Sequence, residues 1–238
     1  MGDDTVLFEV TEKNLDTGLR GIPVGRVRTS RVDPYEGVSY VGYPVAELAF
    51  HDPEAAVYLL LEKQLPTDEQ LKAFKADLAK RAAIPEEVLT TIGNLPKALH
   101  PMEWLITGLI LLGSAGKTGS YKEDALNLIA RSPALVATIF RQRSGWGAPI
   151  PSRPELGLVE NFVHMMNVPD ADAGRLNKLI RTFYVLHLDH GGGNLSTFAG
   201  KAVASGLADI YASMAAAMAG LYGARHGKAN QDCLNFVR

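Results

Sequence analysis

The sequence predicts a mainly α protein with a short extended, β-like region at its N-terminus. Three observations lead there. Apolar residues recur at i, i+3, i+4 and i+7 spacing in the second half of the chain. The segment MEWLITGLILLGS after His100-Pro101 is apolar on every side, as a helix buried in a core or a subunit contact would be. The opening stretch instead shows short β-branched or aromatic runs punctuated by Gly18, Gly21, Pro23, Gly25, Asp33-Pro34, Gly37 and Gly42. The division expected is an extended segment over 1–50 and a helical domain over 51–238.

Residues 53–63 read as the first helix, ended by Leu65-Pro66. Thr67-Asp68-Glu69-Gln70 has the form of a capping box, with Thr67 as cap and Gln70 reaching back. A short helix is expected after Pro85, since proline is favoured in a first turn. Residues 122–145 predict a longer helix interrupted at Ser132-Pro133, followed by a Gly/Pro-rich loop over 144–154. In 173–188, Leu176, Leu179, Ile180, Phe183 and His187 fall at helical spacing, and in 206–223 so do Leu207, Ile210, Tyr211, Met214, Met218 and Leu221. The opposite face of this last helix is alanine and serine, small enough for close helix packing. Its Met and aromatic stripe reads as core. A terminal helix is expected from Ala229, with Cys233, Phe236 and Val237 on one side.

Composition excludes several classes. A net charge of -2 among 238 residues, with no run of like charge, argues against a nucleic-acid binder. No basic, apolar leader opens the chain, and neither apolar segment suits a membrane span. One is too short, and the other carries Asp209 amid Ala, Gly and Ser. A single cysteine, Cys233, cannot form an internal disulfide and fits a reducing compartment. Gly116-Lys117-Thr118 resembles the end of a phosphate-binding loop, but Leu111 stands where the first glycine belongs, so Gly113–Ser120 reads as an interhelical turn. His51, His100 and His164 have no metal-ligand spacing. His164 could touch a ligand, but a core histidine with a satisfied hydrogen bond is the preferred reading.

The chemistry concentrates in LHLDHGGGNLSTFAGKAVASG and GARHGKANQ. His190 is expected to close a helix, and Gly191-Gly192-Gly193 allows a sharp turn or close backbone approach to a ligand. Asn194 with Ser196 or Thr197 stands where the next helix begins, either as a carboxylate site at its positive end or as an ordinary capped connector. His226 is placed beside the start of the terminal helix, a position that favours neutral imidazole. It either donates a hydrogen bond to a carbonyl becoming an enolate or packs at a helix junction.

Taken in order, these residues resemble the citrate synthase family. The resemblance runs through Leu19-Arg20-Gly21, Val32-Asp33-Pro34, Tyr40-Val41-Gly42-Tyr43-Pro44, Leu65-Pro66-Thr67, His100-Pro101-Met102, Asn161-Phe162-Val163-His164-Met165-Met166, Asp189-His190, Gly192-Gly193-Asn194 with Ser196, and His226-Gly227 with Ala229-Asn230. It implies the family's large helical domain and a homodimer built through 102–114 and 206–223. It also implies condensation of oxaloacetate with acetyl-CoA to citrate and CoA, with the coenzyme A thioester as substrate and no tightly bound cofactor or metal. His190 and Asn194 match positions that bind oxaloacetate, and His226 the position that stabilises the enol or enolate. A 2-methylcitrate synthase using propionyl-CoA and a non-catalytic dimeric scaffold are the alternatives. The family's second catalytic histidine, aspartate base and arginine clamp match nothing before Arg238, so the chain is expected to be incomplete for catalysis by itself. Ala224-Arg225 stands where Pro-Leu is common, and Gly191 where many members carry Glu. A bacterial cytoplasm or a mitochondrial matrix would suit, the cytoplasm being preferred because no transit peptide is visible.

Overall fold

Glycine, proline and β-branched residues near the N-terminus produce one small sheet, after which the described chain is almost wholly helical. The structure is a computed structural model that describes residues 5–17, 22 and 25–227. The expected terminal helix and Cys233 lie outside the described residues, as does Leu19-Arg20-Gly21.

Strands β1 (Ser30–Asp33), β2 (Gly37–Tyr40) and β3 (Tyr43–Pro44) pair antiparallel in the order β1-β2-β3. The β1–β2 turn is held by the Asp33 carboxylate, which accepts the amides of Tyr35 (2.9 Å) and Glu36 (3.0 Å). Two departures fall within 1–50: a short 3-10 turn at Glu12–Asn14, and residues Val45–Leu48, which already form a helical turn, α1. Tyr40, Val45 and Leu48 pack with Ala56, Leu59 and Val185 into a core that joins the sheet to the helices.

Helix α2 (Pro53–Glu62) ends on Lys63 in the left-handed conformation, one residue short of the expected bound. Helix α3 (Asp68–Arg81) begins with the predicted box: Gln70 N–H donates to Thr67 Oγ1 (3.3 Å) and Thr67 N–H to Gln70 Oε1 (2.9 Å). Helix α4 (Glu86–Gly93) starts immediately after Pro85. Helix α5 (Pro101–Gly116) is capped by His100, whose Nδ1 accepts the Met102 amide at 3.2 Å. Trp104, Leu109 and Leu112 of α5 enter the main core with Ile92, Leu128, Leu135, Ile139, Tyr211 and Ala215, while Ile110 stays 47% exposed.

Helix α6 (Tyr121–Ser144) runs through Pro133 without a break, contrary to expectation. The proline ring deprives the preceding turn of one N–H, yet α6 is packed against α3, α5 and α7, and the Ser132 hydroxyl bonds the Leu128 carbonyl (2.6 Å). Its last turn organises the predicted loop, because buried Arg141 donates to the carbonyls of Ala148 (2.9 Å) and Met166 (3.0 Å).

Helix α7 (Leu158–Met166) begins at Gly157, which has no side chain to cap it. Glu54 of α2 does so instead, 2% exposed and accepting the Leu158 amide at 2.5 Å. Helix α8 (Ala173–Leu186) forms where the helical spacing places it. Leu179 is 63% and Phe183 54% exposed, and Val185 is the residue α8 buries completely. Leu176 and Ile180 of the same stripe are half-buried, so it is only partly covered among the described residues. Helix α9 (Leu195–Ser205) packs along α10 (Ile210–Leu221). Helix α10 starts later than predicted, at an Asp209 cap that accepts the Ala212 amide (2.9 Å). Leu207 thus lies in the preceding turn, 95% exposed, not in the apolar stripe. Ser213, Ala215 and Ala217 are buried, and a Cβ on Gly200 of α9 would lie 3.2 Å from both the Ala217 Cβ and the Ser213 carbonyl oxygen. Small residues let these helices touch. A turn over 113–120 is expected, but residues 113–116 belong to α5, so only 117–120 separates α5 from α6; Lys117 pairs with Asp209 at 2.7 Å.

Candidate active site

The two chemistry-bearing segments, 30 residues apart between Ser196 and His226, meet where α9 begins and α10 has just ended. Helix α10 gives way at Tyr222 to a turn in which the His226 amide donates to the Gly223 carbonyl (2.9 Å) and the Gly227 amide to Leu221 (2.9 Å). This turn aims the half-buried His226 ring at the first turn of α9, where Nε2 lies 3.1 Å from Ser196 Oγ. Ser196 Oγ in turn bonds Asn194 Oδ1 at 2.7 Å. The expected helix start beyond His226 lies outside the described residues. Tyr222 also stacks near His100, with ring centroids 4.8 Å apart, so the α5 cap borders the same turn.

Asn194 is the N-cap of α9, its Oδ1 accepting the Thr197 amide at 2.8 Å, while Nδ2 donates to the Gly191 carbonyl at 3.1 Å. Of the two roles open for this residue, capping is realised in the fold, and one N–H of its amide has no partner among the described residues. Asp189 Oδ1 accepts the Gly191 amide (2.8 Å), and the Asp189 amide reaches the Tyr40 hydroxyl (3.3 Å). That hydroxyl donates to the Val185 carbonyl (2.9 Å). Burial raises the Tyr40 pKa, opposed by the Asp189 amide hydrogen bond. The phenol therefore stays neutral and pins the end of α8 and the start of the glycine turn to the sheet.

His190 does not close a helix. Helix α8 ends at Leu186, because His187 leaves helical geometry, and His190 follows outside any regular element. Its ring is exposed and engages no group among the described residues. It stands one residue before Gly191, which the Asn194 amide holds. Asn194 and His226 are thus joined through one short network, with Ser196 as the member that joins the two segments, while His190 only adjoins it in sequence.

The three glycines serve different ends. Gly191 has φ +80°, which explains its lack of a side chain. Gly192 is covered: a Cβ there would lie 2.4 Å from Val27 Cγ2. Gly193 has nothing within 4 Å of its Cβ position. Residues 25–30 therefore lie across the turn, and the exposed Lys201 amine sits near the Cβ positions of Gly25 (3.5 Å) and Gly192 (3.6 Å) without an ion pair among the described residues.

Other candidates fall elsewhere. His164 is half-buried, lacks a hydrogen-bond partner among the described residues, and lines a cavity of about 410 Å³ between α7 and α8 with Arg153, Glu160 and Asn177. The satisfied core histidine expected there is not found. No group of three or more His, Cys, Asp or Glu among the described residues is arranged to hold a metal ion. No helix among them is long and apolar enough to cross a membrane.

A helical domain with an imidazole, a hydroxyl and an amide converging beside a glycine turn defines a class: α-helical proteins whose site is built from interhelical loops. Comparison with known proteins identifies the family. The profile described as citrate synthase, C-terminal domain, matches residues 18–238. Mitochondrial citrate synthase 4 of Arabidopsis thaliana is 36% identical over 256 residues, covering 98% of this chain and 53% of its own length. The mitochondrial citrate synthase of Daucus carota is 36% identical, covering 93% of this chain and 51% of its own. The solved citrate synthase of Pyrobaculum aerophilum superposes with a TM-score of 0.80 at 31% identity, over 90% of this chain and 57% of that one. The chain belongs to the citrate synthase family. It spans about half the length of the curated relatives it matches.

Proposed function

We propose that the intact protein is an acyltransferase that condenses oxaloacetate with acetyl-CoA, releasing citrate and CoA. The observation that carries this reading is the 3.1 Å contact of His226 with Ser196, which sets the imidazole beside the Asn194 amide and the His190 turn. Oxaloacetate is assigned to His190 and to the spare N–H of Asn194, with the unpaired Lys201 amine adding positive charge nearby. His226 is assigned to the thioester carbonyl, where a hydrogen bond would stabilise the negative charge that develops on oxygen as the α-proton leaves.

Proton removal also needs a placed base. The family's aspartate, second histidine and arginine clamp are assigned to residues outside this chain, and the chain to the family's large domain. Its division is proposed as extended 1–50 and helical 51–238. A homodimer is proposed through α5 and α10, which pack together and leave Ile110 and Met214 partly exposed. The bacterial cytoplasm and the mitochondrial matrix are the proposed settings, the second in line with the names of the plant relatives.

The test mixes oxaloacetate and acetyl-CoA with the intact protein and follows free thiol. Release that requires both substrates is expected, and release with acetyl-CoA alone, or none, overturns the assignment. The isolated chain is expected to show little turnover.

A further inference from the structure

The turn that carries His226 has little stiffness of its own. Gly223 and Gly227 bracket it, and glycine leaves a backbone its widest choice of conformations. Its internal bonds are short-range, from the His226 amide to the Gly223 carbonyl and from the Gly227 amide to that of Leu221. Two side chains tie it to other elements among the described residues. His226 meets Ser196 of α9 at 3.1 Å, and Tyr222 lies against His100 at the start of α5. The Tyr222 and His100 ring centroids are 4.8 Å apart, with the planes tilted by 30°, a separation at which ring pairs attract.

Of these two rings, His100 is the anchored one. Its amide donates to Glu103 Oε2 (2.6 Å), its carbonyl accepts the Glu103 amide (2.9 Å), and its Nδ1 accepts the Met102 amide (3.2 Å). Beside it, Arg143 of α6 donates to the carbonyls of Leu99 and Lys97. Because Nδ1 is an acceptor, the neutral ring carries its proton on Nε2, and the bond from Met102 fixes the ring plane. Capping α5 needs only a lone pair at the helix start, which Asn, Asp or Ser supplies at least as well. The imidazole presents a flat face in addition, and Tyr222 is what that face meets.

We propose that His100 is a positioning residue: its anchored ring is the fixed surface on which Tyr222 sets the turn after α10, and with it the approach of His226 to an acyl carbonyl. This rests on the function proposed above, because His226 needs such placement only if it must meet a reacting group. Tyr222 stands four residues before His226, with Gly223 between them. A turn released from His100 therefore pivots at the glycine, and misplacement by about 1 Å can cost a reaction on the order of a hundredfold. Ser196 still holds the His226 ring, so the expected loss is smaller.

The test uses the intact protein. His100→Asn keeps a cap on α5 and removes one ring; Tyr222→Ala removes the other and leaves the cap untouched. Each is expected to lower kcat about three- to tenfold, the scale of one ring pair, with little change in the KM for oxaloacetate. The double variant should be no worse than the worse single, since both delete the same contact. Tyr222→Phe, which keeps a ring, should recover most of the loss. Losses that multiply in the double variant, or equal losses in Tyr222→Phe and Tyr222→Ala, overturn the proposal. Hydrogen exchange reads the turn without turnover. The His226 and Gly227 amides should exchange faster in Tyr222→Ala while the Met102 amide, which reports the cap, does not. Unchanged exchange at His226 and Gly227 overturns the proposal whatever the kinetics show. A parent that releases no thiol from oxaloacetate and acetyl-CoA sinks the proposed function, while exchange still decides whether His100 holds the turn.

Discussion

Val27 lies over Gly192 so closely that a methyl group at position 192 would come within 2.4 Å of Val27 Cγ2. The valine side chain is stiff at χ1, so relief requires movement of the 25–30 segment itself. Gly192→Ala is expected to destabilise the protein by about 1–3 kcal/mol, the usual range for overpacking. Gly193→Ala, facing open space, should stay within about 0.5 kcal/mol of the parent. Urea unfolding of the two variants checks the contrast, and equal midpoints would show that the Val27 cover contributes nothing.

Tyr40→Phe removes one hydroxyl and strands two backbone groups, the Val185 carbonyl and the Asp189 amide. Unsatisfied buried groups cost about 1–3 kcal/mol. Faster hydrogen exchange at the Asp189 amide is expected, and unchanged exchange there would detach Tyr40 from the turn.

Glu54→Ala should cost more than Glu54→Gln. Both lose the charge at the start of α7, but glutamine keeps an oxygen for the Leu158 amide. Losing a cap costs about 0.5–2 kcal/mol. The negative charge of Glu54, after burial, also raises the Tyr184 pKa. Melting temperatures decide the matter, and an alanine variant as stable as the glutamine one would remove the capping role.

Acid should loosen the joint between α2, α3 and α8. The Asp52 carboxyl is held below the ordinary carboxylate range, first by the hydrogen bond from Lys75 and next by that from Arg181. A carboxyl depressed in the folded state stabilises the fold above its unfolded pKa of about 3.9. That contribution falls away as pH drops through the lower folded value. Asp52→Asn should therefore flatten the decline of stability below about pH 4, measured by urea midpoints across pH. A decline as steep as in the parent would rule Asp52 out as its source.

His226→Ala in the intact protein should lower kcat by on the order of a hundredfold or more, the scale for losing one oxyanion donor. A loss of less than threefold or so would remove His226 from the chemistry.

Local signals survived the passage from sequence to structure. The Thr67 box, the Pro85 start and the apolar 102–114 helix depend on neighbours within a turn or two, and each stands where its pattern places it. Pro133 misled because packing on three sides outweighs one missing N–H. Leu207 misled because Asp209 caps better than the turn before it propagates. The spacing of Leu179 and Phe183 reports amphipathicity but not what covers it. His190, Asn194 and His226 were legible as candidates, whereas Ser196 as the link from Asn194 to His226, Tyr40 as an anchor and Glu54 as a remote cap were not. Each acts across a distance in sequence that no periodicity encodes, 104 residues from Glu54 to Leu158.

The Tyr40 anchor also sets a schedule for the growing chain. Its partner Val185 lies 145 residues further on, and so wide a loop must be closed before the contact returns anything. Helices that assemble from local contacts can form while the polypeptide is still emerging. The glycine turn takes its final shape only when that stretch folds back onto a strand made near the beginning, later than the helices that lie between them.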